Sequence, residues 1–280
     1  MSVSDILLEQ VVRLYAESRN RRRDEHEEFD LALWTKVDEL GLPLAMCAEA
    51  SGGFALSWSE MFDVIAHSAA AGEPAPLGET LVGNALLSAV GATPAAGPIF
   101  FGDRPSSAPA SAQLLPMADA HAGALLRSVQ IAGALQGALE LSVRYAQERT
   151  QFGRPLAKFQ AIQHMLARLA NETAATTAAA RAACAKMDLG GGELAIAIAK
   201  ARAGQAVEKG AMLAHQIHGA IGVTLEYPLA RLSRNMWRWA EDFGNHRHWA
   251  IEIGRASIAM PSAWHAVVAA SDPVGANGDE

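Results

Sequence analysis

The residues best suited to chemistry lie in the run Glu148–Gln163, where arginines, glutamines and phenylalanines flank a Phe-Gly-Arg-Pro turn. Helical periodicity on both sides of this turn predicts a helix–turn–helix junction. An arginine at a helix end suits a diphosphate, because its planar guanidinium donates to two oxygens at once. Amide groups at a nearby helix start add to such a site. The simpler interpretation is that Phe152 and Phe159 belong to the core and that Arg149 caps a helix.

A second run of residues, Gln216–Pro228, carries spaced glycines and is followed by Arg231 and Arg234. The first run resembles the RxQFGxPLxxFQxxQ signature of acyl-CoA dehydrogenases. The second run is similar to the QxxGGxGxxxEYP segment of the same family, with Ala220 in place of one glycine. Three further segments resemble the N-terminal helical domain of that family: 34–41, 49–53 and 72–80.

This resemblance implies an FAD-dependent enzyme that acts on an acyl-CoA thioester. Such enzymes remove a proton from the α-carbon and pass a hydride from the β-carbon to the flavin. The resemblance also implies that the two motifs contact the adenosine diphosphate part of FAD across a subunit interface. The residues carried over to that role are Arg149, Gln151, Phe152, Leu156, Gln216 and Gly219.

The middle of the chain departs from the family pattern. The family places a β-barrel between its helical halves, and the strands of that barrel hold the flavin ring. Prolines and serines interrupt the pattern here, and only about 99–118 is available for strands. Several strands of about five residues each do not fit into that length. The chain alone is therefore not expected to enclose the flavin ring.

Periodicity predicts an all-α fold in which the β-barrel is absent or vestigial. A capping box at Ser57 and Glu60 marks one helix start, and Pro228 lies near another. We expect disorder from Ala270 onward. The predicted divisions are an N-terminal helical domain (1–98), a Pro/Ser-rich linker (99–118), a C-terminal four-helix-type bundle (119–262) and a tail (263–280).

The catalytic base is the second departure. The resemblance places the family's glutamate at Phe243, and the alternative position of that glutamate falls on Gly123. Neither residue is a carboxylate. Asp242 and Glu241 lie next to the first position and are candidate bases if the turn is shifted in register. The alternative is that both are solvated turn residues.

Three hypotheses about function remain open. The segment Asp242–His248 resembles a subgroup whose members include shortened subunits of hetero-oligomeric dehydrogenases for bulky steroid or polyketide-like acyl-CoA substrates. We favour such a subunit, which shares the flavin site with a homologous full-length partner. The second hypothesis is a homo-oligomer that holds FAD by itself and uses Asp242 or Glu241. The third is a non-catalytic protein that binds acyl-CoA or stabilises a partner.

Composition argues against several other classes of protein. The net charge is −7 and no basic stripe is present, which disfavours nucleic acid. The uncharged segment 80–102 is broken by glycines and prolines, so we expect no membrane insertion. Cys47 and Cys184 are isolated, as in a reducing compartment, and we expect a cytoplasmic protein. His246 and His248 lack a third ligand at useful spacing, so we expect no metal.

Overall fold

The computed structural model describes residues 2–21, 29–102, 105–116, 119–260 and 262–271. Helices dominate it, and the predicted all-α fold is confirmed. The helices before residue 90 are α1 (Val3–Arg21), α2 (Leu31–Glu39), α3 (Trp58–Ala70) and α4 (Leu77–Ala89). Those after residue 119 are α5 (Ala120–Glu148), α6 (Gln160–Asp188), α7 (Glu193–His218), α8 (Pro228–Glu241), α9 (His246–Ala259) and α10 (Ala263–Ser271).

Side chains at the helix starts explain several of these boundaries. Ser57 and Glu60 form the predicted capping box at the start of α3. Asp119 accepts hydrogen bonds from backbone N–H groups in the first turn of α5, and Asn245 does the same for α9. These oxygens satisfy donors that have no partner inside the helix.

A short extended segment joins the two sets of helices. β1 (Ile99–Phe100) pairs in parallel with β2 (Gln113–Leu114). The segment is tied to α4, because the Ile99 N–H donates to Thr80 Oγ1 at 3.0 Å. Within 99–102 and 105–116 these two dipeptides are the strands, and no barrel is formed by the described residues.

Helices α3 and α5 cross at glycines. A Cβ built at Gly133 would lie 2.0 Å from the carbonyl oxygen of Ala66, and one at Gly137 would lie 2.4 Å from that of Ala70. Such distances are too short for any side chain. The two helix backbones therefore touch directly, and this contact fixes α5 against the N-terminal helices.

The end of the chain differs in part from the expectation. The apolar, alanine-rich segment Ala263–Ser271 is helical, so the disorder predicted from Ala270 does not apply to Ala270 and Ser271. The rest of the predicted tail, 272–280, lies outside the described residues. The division into domains stays a prediction. Among the described helices, none is both long and apolar enough to cross a bilayer.

Candidate functional site

The first motif forms a hairpin between α5 and α6. β3 (Thr150–Gln151) and β4 (Arg154–Pro155) pair antiparallel around a tip made of Phe152 and Gly153. The φ of Phe152 is 51°, a region that glycine adopts freely and phenylalanine only at a cost. Phe152 points outward and is 92% exposed. Phe152 is therefore not part of the core, whereas Arg149 does end α5, as the simpler interpretation expected.

Two polar side chains of the hairpin are free to bind a ligand. Arg149 and Gln151 are exposed, and their side chains form no hydrogen bond or ion pair with the described part of the chain. The backbone N–H of Arg149 donates to Tyr145 O at 2.9 Å, so the residue ends α5 while its guanidinium faces solvent. Leu156 is half-buried beneath the hairpin, and its N–H donates to Arg149 O at 2.9 Å. This exposed cation and amide suit a diphosphate.

The second motif lies at the end of α7. Gln216 is exposed, and its side chain has no hydrogen-bond partner among the described residues. Gly219 ends the helix at φ 65° and ψ −143°, a conformation that only glycine adopts without strain.

A ring contact connects the two motifs. The His218 ring stacks on Tyr145, with ring centroids 4.6 Å apart and planes at 27°. Burial lowers the pKa of His218, which favours a neutral ring in this stack. Tyr145 lies one turn before Arg149, and His218 lies between Gln216 and Gly219. The structure therefore brings the end of α5 next to the end of α7, a link that neither motif predicts alone.

The two positions that the resemblance assigns to the catalytic base meet in space. The Phe243 ring lies over Gly123, where an added Cβ would be 2.7 Å from Phe243 Cγ. The ring also makes an edge contact with Phe101, with centroids 6.5 Å apart. An aromatic ring thus fills the volume that a carboxylate at either position would need.

The turn that carries Phe243 is held rigidly. Lys200 Nζ donates to the carbonyl oxygens of Trp239 and Ala240 at 3.0 and 2.8 Å, which caps the end of α8. Burial lowers the pKa of Lys200 to about 8. Trp249 Nε1 donates to Phe243 O at 3.0 Å from the other side.

The candidate bases have other partners. Arg127 is fully buried, and its Nε donates to Asp242 Oδ2 at 2.9 Å. The Nη1 of the same guanidinium donates to Glu79 Oε1 at 2.6 Å and to Gln130 Oε1 at 2.7 Å. Glu241 is exposed and accepts from Asn245 Nδ2 at 3.3 Å. No sequence pattern singles out Arg127, because it is one charged residue among apolar neighbours on α5.

A further carboxylate completes this buried cluster. Both oxygens of Glu73 accept from Gln130 Nε2 at 2.8 Å. Burial, reinforced by the nearby charge of Glu79, raises the pKa of Glu73 to about 7. The Glu73 carboxyl group therefore loses its proton, and becomes negatively charged, only near neutral pH.

We expect Glu73→Gln to change how stability depends on pH. The pKa of Glu73 is higher in the folded chain than its ordinary value of 4.5, so the wild type loses stability as pH rises from 4.5 through 7. The variant removes this loss. Its free energy of unfolding should match the wild type near pH 4.5 and exceed it by at most about 3 kcal/mol at pH 8. Urea titrations at both pH values measure this, and a constant difference would contradict it.

The hairpin and the Phe243 turn lie at opposite ends of α5. Gly123 is in its first turn and Arg149 follows its last residue. At about 1.5 Å per residue, these positions are about 40 Å apart. One chain therefore does not place its own hairpin beside its own Phe243 turn.

In the described ranges, no three histidine, cysteine, aspartate or glutamate side chains gather as a metal site.

Comparisons with known proteins agree with this architecture. Residues 115–239 match the family model "Acyl-CoA dehydrogenase, C-terminal domain". Glutaryl-CoA dehydrogenase from Desulfococcus multivorans is 42% identical over 105 residues, which are 37% of this chain and 27% of that enzyme. The match thus spans only about a quarter of that relative.

Solved structures resemble nearly the whole chain. One chain of the ChsE4–ChsE5 complex from Mycobacterium tuberculosis superposes with a TM-score of 0.75 at 16% identity. The superposition covers 94% of this chain and 99% of the chain from the complex. Butyryl-CoA dehydrogenase from Megasphaera elsdenii gives a TM-score of 0.74 at 16% identity, covering 92% and 98%. At such identities these likenesses show the fold. Residues 115–239 therefore resemble the C-terminal domain of acyl-CoA dehydrogenases, and the chain as a whole has the fold of these solved structures.

Proposed function

We propose that this chain is a subunit of an FAD-dependent acyl-CoA dehydrogenase and that it shares its flavin site with a homologous full-length partner. The observation that carries this proposal is the unpartnered hairpin. Arg149 and Gln151 extend from the end of α5 with no partner among the described residues. An exposed aromatic tip beside free polar groups is typical of a surface that binds in an assembly.

The residues of both motifs fit the adenosine diphosphate part of FAD. The guanidinium of Arg149 would bind the diphosphate, with Gln151 and Gln216 donating from either side. Phe152 and Leu156 would pack against the cofactor, and the backbone at Gly219 leaves room for it. When bound, FAD supplies the acceptor for the hydride. The chain's own part is to hold and orient the cofactor.

The base and the flavin-ring pocket are assigned to the partner subunit in this proposal. The two positions of the family's base hold Phe243 and Gly123, so this chain has no carboxylate at either of them. The Phe243 ring also fills the space next to Gly123. Asp242 is bound to Arg127, and Glu241 lies at the surface. The similar structure of the ChsE4–ChsE5 complex, which contains two different proteins, supports an assembly of unlike subunits. The substrate would be an acyl-CoA thioester.

The test is to purify the chain alone and with a full-length homologue, and to record flavin absorbance and subunit ratio. We expect a colourless chain alone and a yellow complex with equal numbers of the two subunits. Stoichiometric flavin and turnover in the lone chain would contradict the shared site.

A matched pair of hairpin variants tests the role of Arg149. Arg149→Gln should weaken flavin binding in the complex by about 10- to 100-fold, because a charge-assisted hydrogen bond contributes about 1.5–3 kcal/mol. Arg154→Gln is the control. The guanidinium of Arg154 lies 4.2 Å from the centroid of the Phe159 ring within the hairpin, so its loss should leave flavin content unchanged.

A non-catalytic role is the second candidate, and the closed Phe243 turn favours it. In that case the chain would bind acyl-CoA or stabilise its partner without touching the cofactor. An Arg149→Gln complex with the flavin content of the wild type would support this role and contradict the shared site.

A further inference from the structure

One face of α8 carries three arginines that the proposed function does not use. Arg231, Arg234 and Arg238 follow each other at spacings of three and four, which places them on the same side of the helix. All three line a cavity of about 230 Å³ between α8 and the segment 72–79. A hydrogen bond joins the two sides of the cavity, because Asn235 Nδ2 of α8 donates to Gly72 O at 3.0 Å.

The carboxylates in the cavity wall form no ion pair with Arg234 or Arg238. Glu79 forms an ion pair with Arg127 through its Oε1. Its Oε2 accepts a hydrogen bond from the Phe101 N–H at 2.8 Å. Glu73 is held by Gln130, and its pKa stays raised although Arg238 is near. Arg234 and Arg238 form no hydrogen bond or ion pair with any residue that the structure describes.

The remaining wall is apolar. Phe29, Phe100 and Phe101 line the cavity, and the rings of Phe29 and Phe100 are 6.3 Å apart. The volume corresponds to about eight water molecules, enough for a small organic compound. Cationic groups facing an aromatic wall select a ligand with an anionic end and a compact apolar body.

We propose that this cavity binds a small organic anion, whose carboxylate or phosphate group contacts Arg234 and Arg238 and whose apolar body packs on the phenylalanines. The site is separate from the hairpin, because it lies at α8 and the N-terminal helices.

Isothermal titration of the full chain with phenyl phosphate and with benzoate tests this proposal. We expect saturable binding of at least one of them, and the tighter ligand identifies the anionic group. Benzyl alcohol, a neutral compound of similar shape, should bind at least tenfold more weakly. A wild-type chain that binds neither anion, or that binds benzyl alcohol equally well, would overturn the proposal.

Variants show whether the cavity is the site. Arg234→Gln with Arg238→Gln should weaken binding of the anion at least tenfold while thermal unfolding confirms a folded chain. Arg247→Gln is the matched control, because Arg247 is exposed on α9 and does not line the cavity. Equal weakening by the control would show binding to surface charge in general and would reject the site. Unchanged binding in the double variant would reject it as well.

Discussion

Replacing Arg127 by methionine is expected to destabilise the chain by about 3–5 kcal/mol. The guanidinium is fully buried and bridges Glu79 and Asp242, which come from α4 and from the end of α8. Methionine fills part of the volume but leaves both carboxylates without their cation. Urea unfolding followed by circular dichroism measures the loss.

A double variant separates the loss of charge balance from the loss of packing. Glu79→Gln combined with Arg127→Met removes one of the two stranded charges. We expect this double variant to recover at least half of the stability lost by Arg127→Met alone. Equal stability of the single and double variants would show that packing, rather than the ion pair, determines the cost. A loss below about 1 kcal/mol in Arg127→Met would contradict the argument entirely.

Gly133→Ala should be the most damaging small substitution on α5. The new methyl group would lie 2.0 Å from the Ala66 carbonyl oxygen, which belongs to the backbone of α3 and has no rotamer to change. The helices must separate, and we expect a loss of about 3 kcal/mol or more. Thermal unfolding is the measurement.

Gly254→Ala provides the control for this experiment. Gly254 is also inside a helix, α9, but a Cβ built there meets nothing within 4 Å. Alanine should therefore stabilise the chain by about 0.5–1 kcal/mol through helix propensity alone. A similar change of stability in both variants would show that propensity, and not the helix crossing, governs Gly133.

Local signals in the sequence predict most of the helical architecture. Periodicity and the capping box at Ser57 and Glu60 identify helix starts, because these signals act over one or two turns. The junction between α5 and α6 follows from the first motif in the same way. The short length between residues 99 and 118 was sufficient to exclude a full barrel.

Contacts between distant parts of the chain could not be predicted. The Phe243 ring, in the turn after α8, packs on Gly123 in the first turn of α5. The resemblance assigns one catalytic glutamate to either position, but no local signal predicts that an aromatic ring fills the space between them. The same holds for Arg127, whose partners lie far away in the sequence. The exposure of Phe152 depends on backbone angles at the hairpin tip, which the motif does not specify. The roles of Asp242 and Glu241 as bases stay predictions.

The replacement of a barrel by the single strand pair β1–β2 has a consequence for counting cofactors. If the chain shares the flavin site as proposed, a complex of one such chain with one full-length partner would place this chain's hairpin at the partner's flavin pocket. The partner's hairpin would meet a chain that has no such pocket. Half of the hairpins would then bind no flavin, and the assembly would carry one flavin for every two polypeptides. A homo-oligomer of the full-length partner would carry one flavin for each polypeptide.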